Sequence, residues 1–295
     1  MKYIFLFFIS FPIFAQVQVQ VQVQDQVHFS FGYKANTKTT IETETLADTE
    51  MSIRGDFDTL PKEVVDRFPV RVISKNIKIQ SASTGDKNGN GIYPIESYVS
   101  KDRNYYSVNG SEMIEKSSGV VSMEGLKIKG EGLPNGKIVF LSAEGGNVTE
   151  ELKDVIKSVF TQGGELNDLN NKTVKIGESI SVNIPIAMPI KSEGQISFDM
   201  EMKYTLNRID SDIAYFDIAY FAAMEFEVES GRIDVNGSGY GTMLYDIENT
   251  YMPELETAMT MEMLIPNGSY SFITNTTSST KMVTHFESGL TKASN

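Results

Sequence analysis

The sequence predicts a mainly β protein: a large curved antiparallel sheet, half-barrel or sandwich-like, with one amphipathic helix packed on it. Three observations carry this. Apolar and polar residues alternate with a period of two over most of the chain. Turn signals such as Asn-Gly separate the alternating runs. One stretch alone follows a period near 3.6. A period of two places successive side chains on opposite sheet faces, whereas i, i+3, i+4 spacing gathers them on one side of a helix.

The clearest strand is Ile196 to Leu206, "ISFDMEMKYTL". Ile196, Phe198, Met200, Met202, Tyr204 and Leu206 fall on one face, and Ser197, Asp199, Glu201, Lys203 and Thr205 on the other. Looser alternation marks 27–33, 41–53, 70–79, 92–99, 137–141, 216–228, 238–245 and 269–277, with turns at 88–91, Pro134, Ser192 and Pro266. The helix is expected over 149–162, where Leu152, Val155, Ile156, Val159 and Phe160 share a stripe that Gly163 and Gly164 end. A shorter one is expected in "LPKEVVDRF", with Pro61 at its first position. The tandem "DIAYFDIAYF", 212–221, copies five residues. An odd-length copy reverses the face of its second half, so a kink is expected near Asp217.

The chain opens with Lys2 and an apolar run from Tyr3 to Phe14 ahead of Ala15, the layout of a secretory signal peptide over 1–15. The run is too short for a spanning helix, and no later segment is apolar for long enough, so no integral membrane segment is expected after cleavage. Residues 16–26 are a Gln/Val repeat read as a spacer. Residues 27–290 form the β-rich region, with a division into two sub-domains near 145–172 left open. Localisation is therefore exported, periplasmic or secreted. Without cysteine the fold must rest on its own core, and no cysteine-linked lipid anchor can form. A formal charge of -13 argues against nucleic acid as a partner, because an acidic surface repels phosphate.

Catalytic chemistry finds little support. His28 and His285 are the two histidines, neither in a metalloprotease or catalytic-loop pattern; no thiol nucleophile exists, and no spacing singles out a carboxylate pair. No enzyme and no cofactor are expected. "GSGYG", 237–241, lacks the later glycine and following helix of a dinucleotide loop; alternate glycines in a strand instead mark a bend or a close backbone approach. "DKNGNG" offers Asp86, Asn88 and Asn90 as a weak half-set of calcium ligands, but the twelfth position holds Ser97 where a glutamate is required. What remains is a stripe of methionine and phenylalanine on dry strand faces. Phe198, Met200, Met202, Met259, Met261 and Met263 are the ligand-cavity candidates, since methionine repacks readily around an acyl chain; the same stripe also suits an ordinary core.

"KTVKIGESISVNIPI" (172–186), the 196–206 strand, "GSGYGTMLYDIENTYMPELETAMTMEML" (237–264) and the closing Ser/Thr-rich strand resemble a family of exported β-rich proteins of Bacteroidetes-type bacteria, a domain of unknown function. The likeness covers roughly 130–285, and Ile180 stands where that family has tryptophan. It implies no activity and transfers no functional residue. More distantly, the expected fold is similar to the lipoprotein-carrier half-barrels of the bacterial envelope. The resulting expectation is a non-enzymatic exported protein that binds an apolar ligand, a lipid or acyl chain, between sheet and helix. The alternative is a structural or surface interaction protein with no small ligand.

Overall fold

The computed structural model describes residues 25–30, 34–56, 58, 60–115, 123–133, 138–145, 153, 157, 169, 172–190, 194–228 and 231–289; the side chains of 184–199, 225–228 and 231 lie outside that description. The signal segment 1–15 and most of the Gln/Val repeat are outside it as well. So is the helix expected over 149–162, apart from Lys153 and Lys157, which are helical. Among the described residues no helix is long and apolar enough to cross a membrane.

Fourteen strands are described: β1 (Gln26–His28), β2 (Thr37–Gly55), β3 (Val70–Thr84), β4 (Tyr93–Val108), β5 (Ile114–Glu115), β6 (Lys127–Gly132), β7 (Ile138–Glu144), β8 (Thr173–Lys175), β9 (Ser179–Ile190), β10 (Gly194–Asp210), β11 (Ile213–Val228), β12 (Gly231–Asp246), β13 (Tyr251–Asn267) and β14 (Tyr270–Ser288). A short helix, α1 (Lys62–Val65), follows β2, with Pro61 as its N-cap rather than its first turn. β1 and β8 pair as a two-stranded sheet. The others form one twelve-stranded, open, antiparallel sheet in the order β7-β6-β4-β3-β2-β14-β13-β12-β11-β10-β9, with β5 beside β4. Chain from both sides of 145–172 thus shares a single sheet, joined where β14 pairs with β2.

Long strands stay in register because their turns are tight. Asn267 pairs with Tyr270, leaving a two-residue loop whose Gly268 has φ +66°, a conformation that glycine adopts without steric cost. β4 shows how a bulge preserves a face. Tyr93, Ile95, Ser97 and Val99 are buried, then the register with β3 shifts at Ile79/Gln80, and the buried Asp102 continues the same face. The extra residue, Ser100, is what reverses the alternation.

The tandem repeat behaves differently from expectation. β11 keeps unbroken register with β12 from Ile213 to Val228, so no kink falls at Asp217. The irregularity sits in the partner strand, β10, between Leu206 and Arg208. The face does reverse: Ala214 and Phe216 of the first copy point inward, Ile218 and Tyr220 of the second. Instead of bending, the chain leaves Phe221 53% exposed.

Two cores flank the sheet. At the β9–β12 end, β1 and β8 lie over Leu206, Phe216, Met243 and Tyr245, contributing Val27, Phe29 and Val174. Phe29 packs on Phe216 (ring centroids 5.2 Å apart) and edge-on to Tyr245 (5.1 Å), while the Ser30 amide donates to the Tyr245 hydroxyl at 3.1 Å. At the β6–β7 end, Val99, Leu126, Ile128 and Ala143 form a smaller core. Buried Asp102 accepts the Met123 amide at 2.7 Å and the Asn76 side-chain amide at 3.1 Å, tying the preceding turn to the sheet.

Candidate ligand face

Residues paired across an antiparallel sheet share a face, so the register states what lies beside what. One row runs Val182, Met202, Tyr220, Gly239, Met259, Ser278, Ala47, Ser74. Its neighbours include Gly237, Met261, Thr276, Thr49 on one side and Gly241, Thr257, Thr280, Thr45 on the other. Met200, Met202, Met259, Met261 and Met263 therefore all belong to the same face. Their surroundings differ: Met202 is buried in the larger core with Met200 packed against it, whereas the three β13 methionines are half-buried and outside both cores. Phe198 takes its backbone place opposite Ile186; its side chain is outside the described residues.

The face changes character across the sheet. From β9 to β12 it is apolar or bare; from β14 to β2 it carries Thr276, Ser278, Thr280, Thr45 and Thr49. Thr45 and Thr280 lie 3.1 Å apart through their hydroxyls, and so do Thr49 and Thr276. Aromatic pairs stand at both ends, Phe68 with Phe272 (5.9 Å) and Tyr251 stacked on Phe286 (4.9 Å).

Beside the methionines β12 has no side chains at 237, 239 and 241. A Cβ at Gly239 would fall within van der Waals contact of the Ala258 carbonyl oxygen and 2.9 Å from the Met259 Cα; one at Gly241 would strike the Glu256 carbonyl and lie 3.1 Å from the Thr257 Cα. β13 is therefore folded over toward this face at the β12 seam, and the alternate glycines are what allow the crease. At Gly237 the approach relaxes, with Ala222 Cβ and Met261 Cβ each 3.7 Å away. Tyr220 reaches across the bare strand, its hydroxyl hydrogen-bonded to the Thr257 side chain.

Burial pushes the Tyr220 phenol up from 10.0 to about 12, the Thr257 hydrogen bond opposing it. Between those values an unfolded chain ionises this tyrosine while the folded one keeps it neutral. The folded state therefore holds its full advantage below about pH 10 and loses about 2 to 3 kcal/mol as pH rises through about 12. Tyr220→Phe is expected to move the alkaline unfolding midpoint upward, read by circular dichroism against pH; an unmoved midpoint would assign alkaline unfolding to other groups. Thr274, between Met263 and Met51 in register, is 8% exposed, and its hydroxyl has no hydrogen-bond partner. Thr274→Val is expected to raise stability by about 1 kcal/mol in urea unfolding, because it removes an unpaired buried hydroxyl at nearly constant volume. A loss of stability would mean that this hydroxyl is satisfied.

The calcium half-set occupies an exposed turn. Asn88 spends its side-chain oxygen on the amides of Asn90 (2.9 Å) and Ile92 (3.0 Å). Among the described residues no group of three His, Cys, Asp or Glu is placed to hold a metal.

No family model and no curated protein matches the chain. Among the solved structures that resemble it are three at low identity. A structure titled for lipid–protein interactions in lipovitellin has TM-score 0.47 and 7% identity, over 89% of this chain and 26% of that one. The type IV competence pilus secretin PilQ of V. cholerae has TM-score 0.19 and 7% identity, over 92% of this chain and 63% of that one. Pseudomonas aeruginosa OpdQ has TM-score 0.18 and 8% identity, over 86% and 99%. The chain spans about a quarter of the lipovitellin structure's length. Likenesses of this order identify no relative.

Proposed function

We propose that this is an exported, non-enzymatic binding protein that holds an apolar ligand, a lipid or acyl chain, against the methionine face of its sheet. The observation that carries the reading is the half-buried run Met259, Met261, Met263, outside both cores, with Met259 opposite Gly239 and Met261 opposite Gly237. Flexible, polarizable methionine side chains make a surface that can adjust to a chain of variable shape. Resemblance to exported Bacteroidetes-type proteins agrees with export to the periplasm or beyond.

Native mass spectrometry of protein purified from its own host is expected to show bound lipid. Met261→Asp is expected to fold, admitting water beside the carboxylate, and to lose displacement of a fluorescent fatty acid. Unfolding of that variant would mark the face as close-packed core, and unchanged binding would remove the methionines from the site. A second reading, a structural or surface interaction protein, draws on the open sheet, which among the described residues ends in two edge strands, β7 and β9. It predicts no retained small molecule.

A further inference from the structure

The opposite face of the same sheet carries a groove of about 400 Å³ lying across β2, β14, β13 and β12. Its construction is legible in the register. Leu46, Ser279, Ala258 and Tyr240 are paired in one row, so a large residue at each end brackets two small ones. Three strand spacings separate the walls, about 14 Å from backbone to backbone. Leu46 is 42% exposed and Tyr240 73%, on a face otherwise rich in charge, so neither is occupied by packing within the chain.

The adjoining row is Glu44, Lys281, Glu256 and Thr242. Lys281 leans toward β13, 2.5 Å from Glu256 and 3.4 Å from Glu254, and Lys75 pairs with Glu44 at 2.8 Å. The lysine holds the Glu256 carboxyl below the ordinary range through its hydrogen bond, so this carboxylate stays charged. Three carboxylates thus share two ammonium groups along the flank, within a chain of formal charge -13. Each carboxylate has acceptor sites to spare after one such contact.

We propose that this groove binds an organic cation with an apolar body: the body lies on Ala258 between Leu46 and Tyr240, and the charged nitrogen faces Glu44 and Glu256. An ammonium near the tyrosine ring adds attraction from the ring's electron-rich face. The volume lies within the range of small-molecule sites, and the balance of apolar walls with a few charged groups is the usual one. This site is separate from the proposed lipid face, on the other side of the sheet.

The test is a titration of full-length protein, followed by NMR or calorimetry, with benzylammonium, benzyl alcohol and benzoate, which share a ring and differ in charge. Benzylammonium is expected to bind saturably and at least about tenfold more tightly than benzyl alcohol, with benzoate weakest. Added salt should weaken the cation alone. Tyr240→Ser should abolish binding, and Glu44→Gln with Glu256→Gln should erase the preference for charge; both lie on exposed positions, and circular dichroism checks that the variants fold. Absence of saturable benzylammonium binding, equal affinity for the three probes, a preference for benzoate through Lys281, or full binding by Tyr240→Ser would each overturn the proposal.

Discussion

Gly239→Ala is expected to destabilise the protein by about 3 kcal/mol, the upper part of the range for overpacking a filled interior. The added methyl has nowhere to go. Its neighbours are the Ala258 carbonyl oxygen and the Met259 Cα at 2.9 Å, both backbone atoms of a strand paired on its two sides. Relief requires β13 to move away, which opens the crease and breaks ladder bonds. Alanine's lower entropy in the unfolded chain returns less than about 1 kcal/mol, so it does not change the sign. Gly241→Ala should behave alike, Gly237→Ala should cost clearly less because its nearest neighbour stands at 3.3 Å, and Gly89→Ala, with nothing within 4 Å, should change stability little. Urea unfolding of the four variants gives the ranking. A flat series would show that the crease is not fixed by these contacts.

Phe29→Ala is expected to cost about 3 to 5 kcal/mol, the usual loss for a fully buried phenylalanine. Phe29 is wholly buried and touches Phe216 and Tyr245, residues of two different strands. It also anchors a short segment whose other ties are three ladder pairs of β1 against β8, the buried Val27, and a few hydrogen bonds, among them the Phe29 amide to the Lys172 carbonyl at 2.9 Å and the Ser30 amide to the Tyr245 hydroxyl at 3.1 Å. Truncation should therefore do more than open a cavity. The 25–30 segment is expected to detach, and amide exchange at 26–28 and 173–175 should rise well above that of β11. If exchange there stays protected while stability falls, the segment is held by something other than Phe29.

Strand faces were legible wherever one side is wet and the other dry. Met202, Tyr204 and Leu206 are buried as their alternation required, and the Pro266 turn closes a hairpin. The end of the fourth strand was hidden, because Ser100 reverses the parity and the second half then reads as noise. β6, "KIKGEG", was hidden too, since its buried positions include two glycines, which give no hydrophobic signal. The glycines of β12 announced a bend, but not that Met259 would stand next to bare backbone. That follows from register between distant strands, which local pattern does not encode. The groove on the other face was equally invisible: Leu46 and Tyr240 lie in separate strands, and only pairing through Ser279 and Ala258 puts them in one row.

The seam between β2 and β14 has a consequence for how the chain comes to be folded. It joins the first long strand to the last, with Thr49 facing Thr276 at a sequence separation of 227. Closing so long a loop is entropically slow, and the reward arrives only when the C-terminal strand is present. Until then β2 and β13 each offer a long unpaired edge in the middle of what will be one sheet, and such edges invite pairing with other chains. A chain lacking 270–289 is therefore expected to aggregate rather than to form a smaller stable sheet, and this sheet can be completed only once β14 has been made.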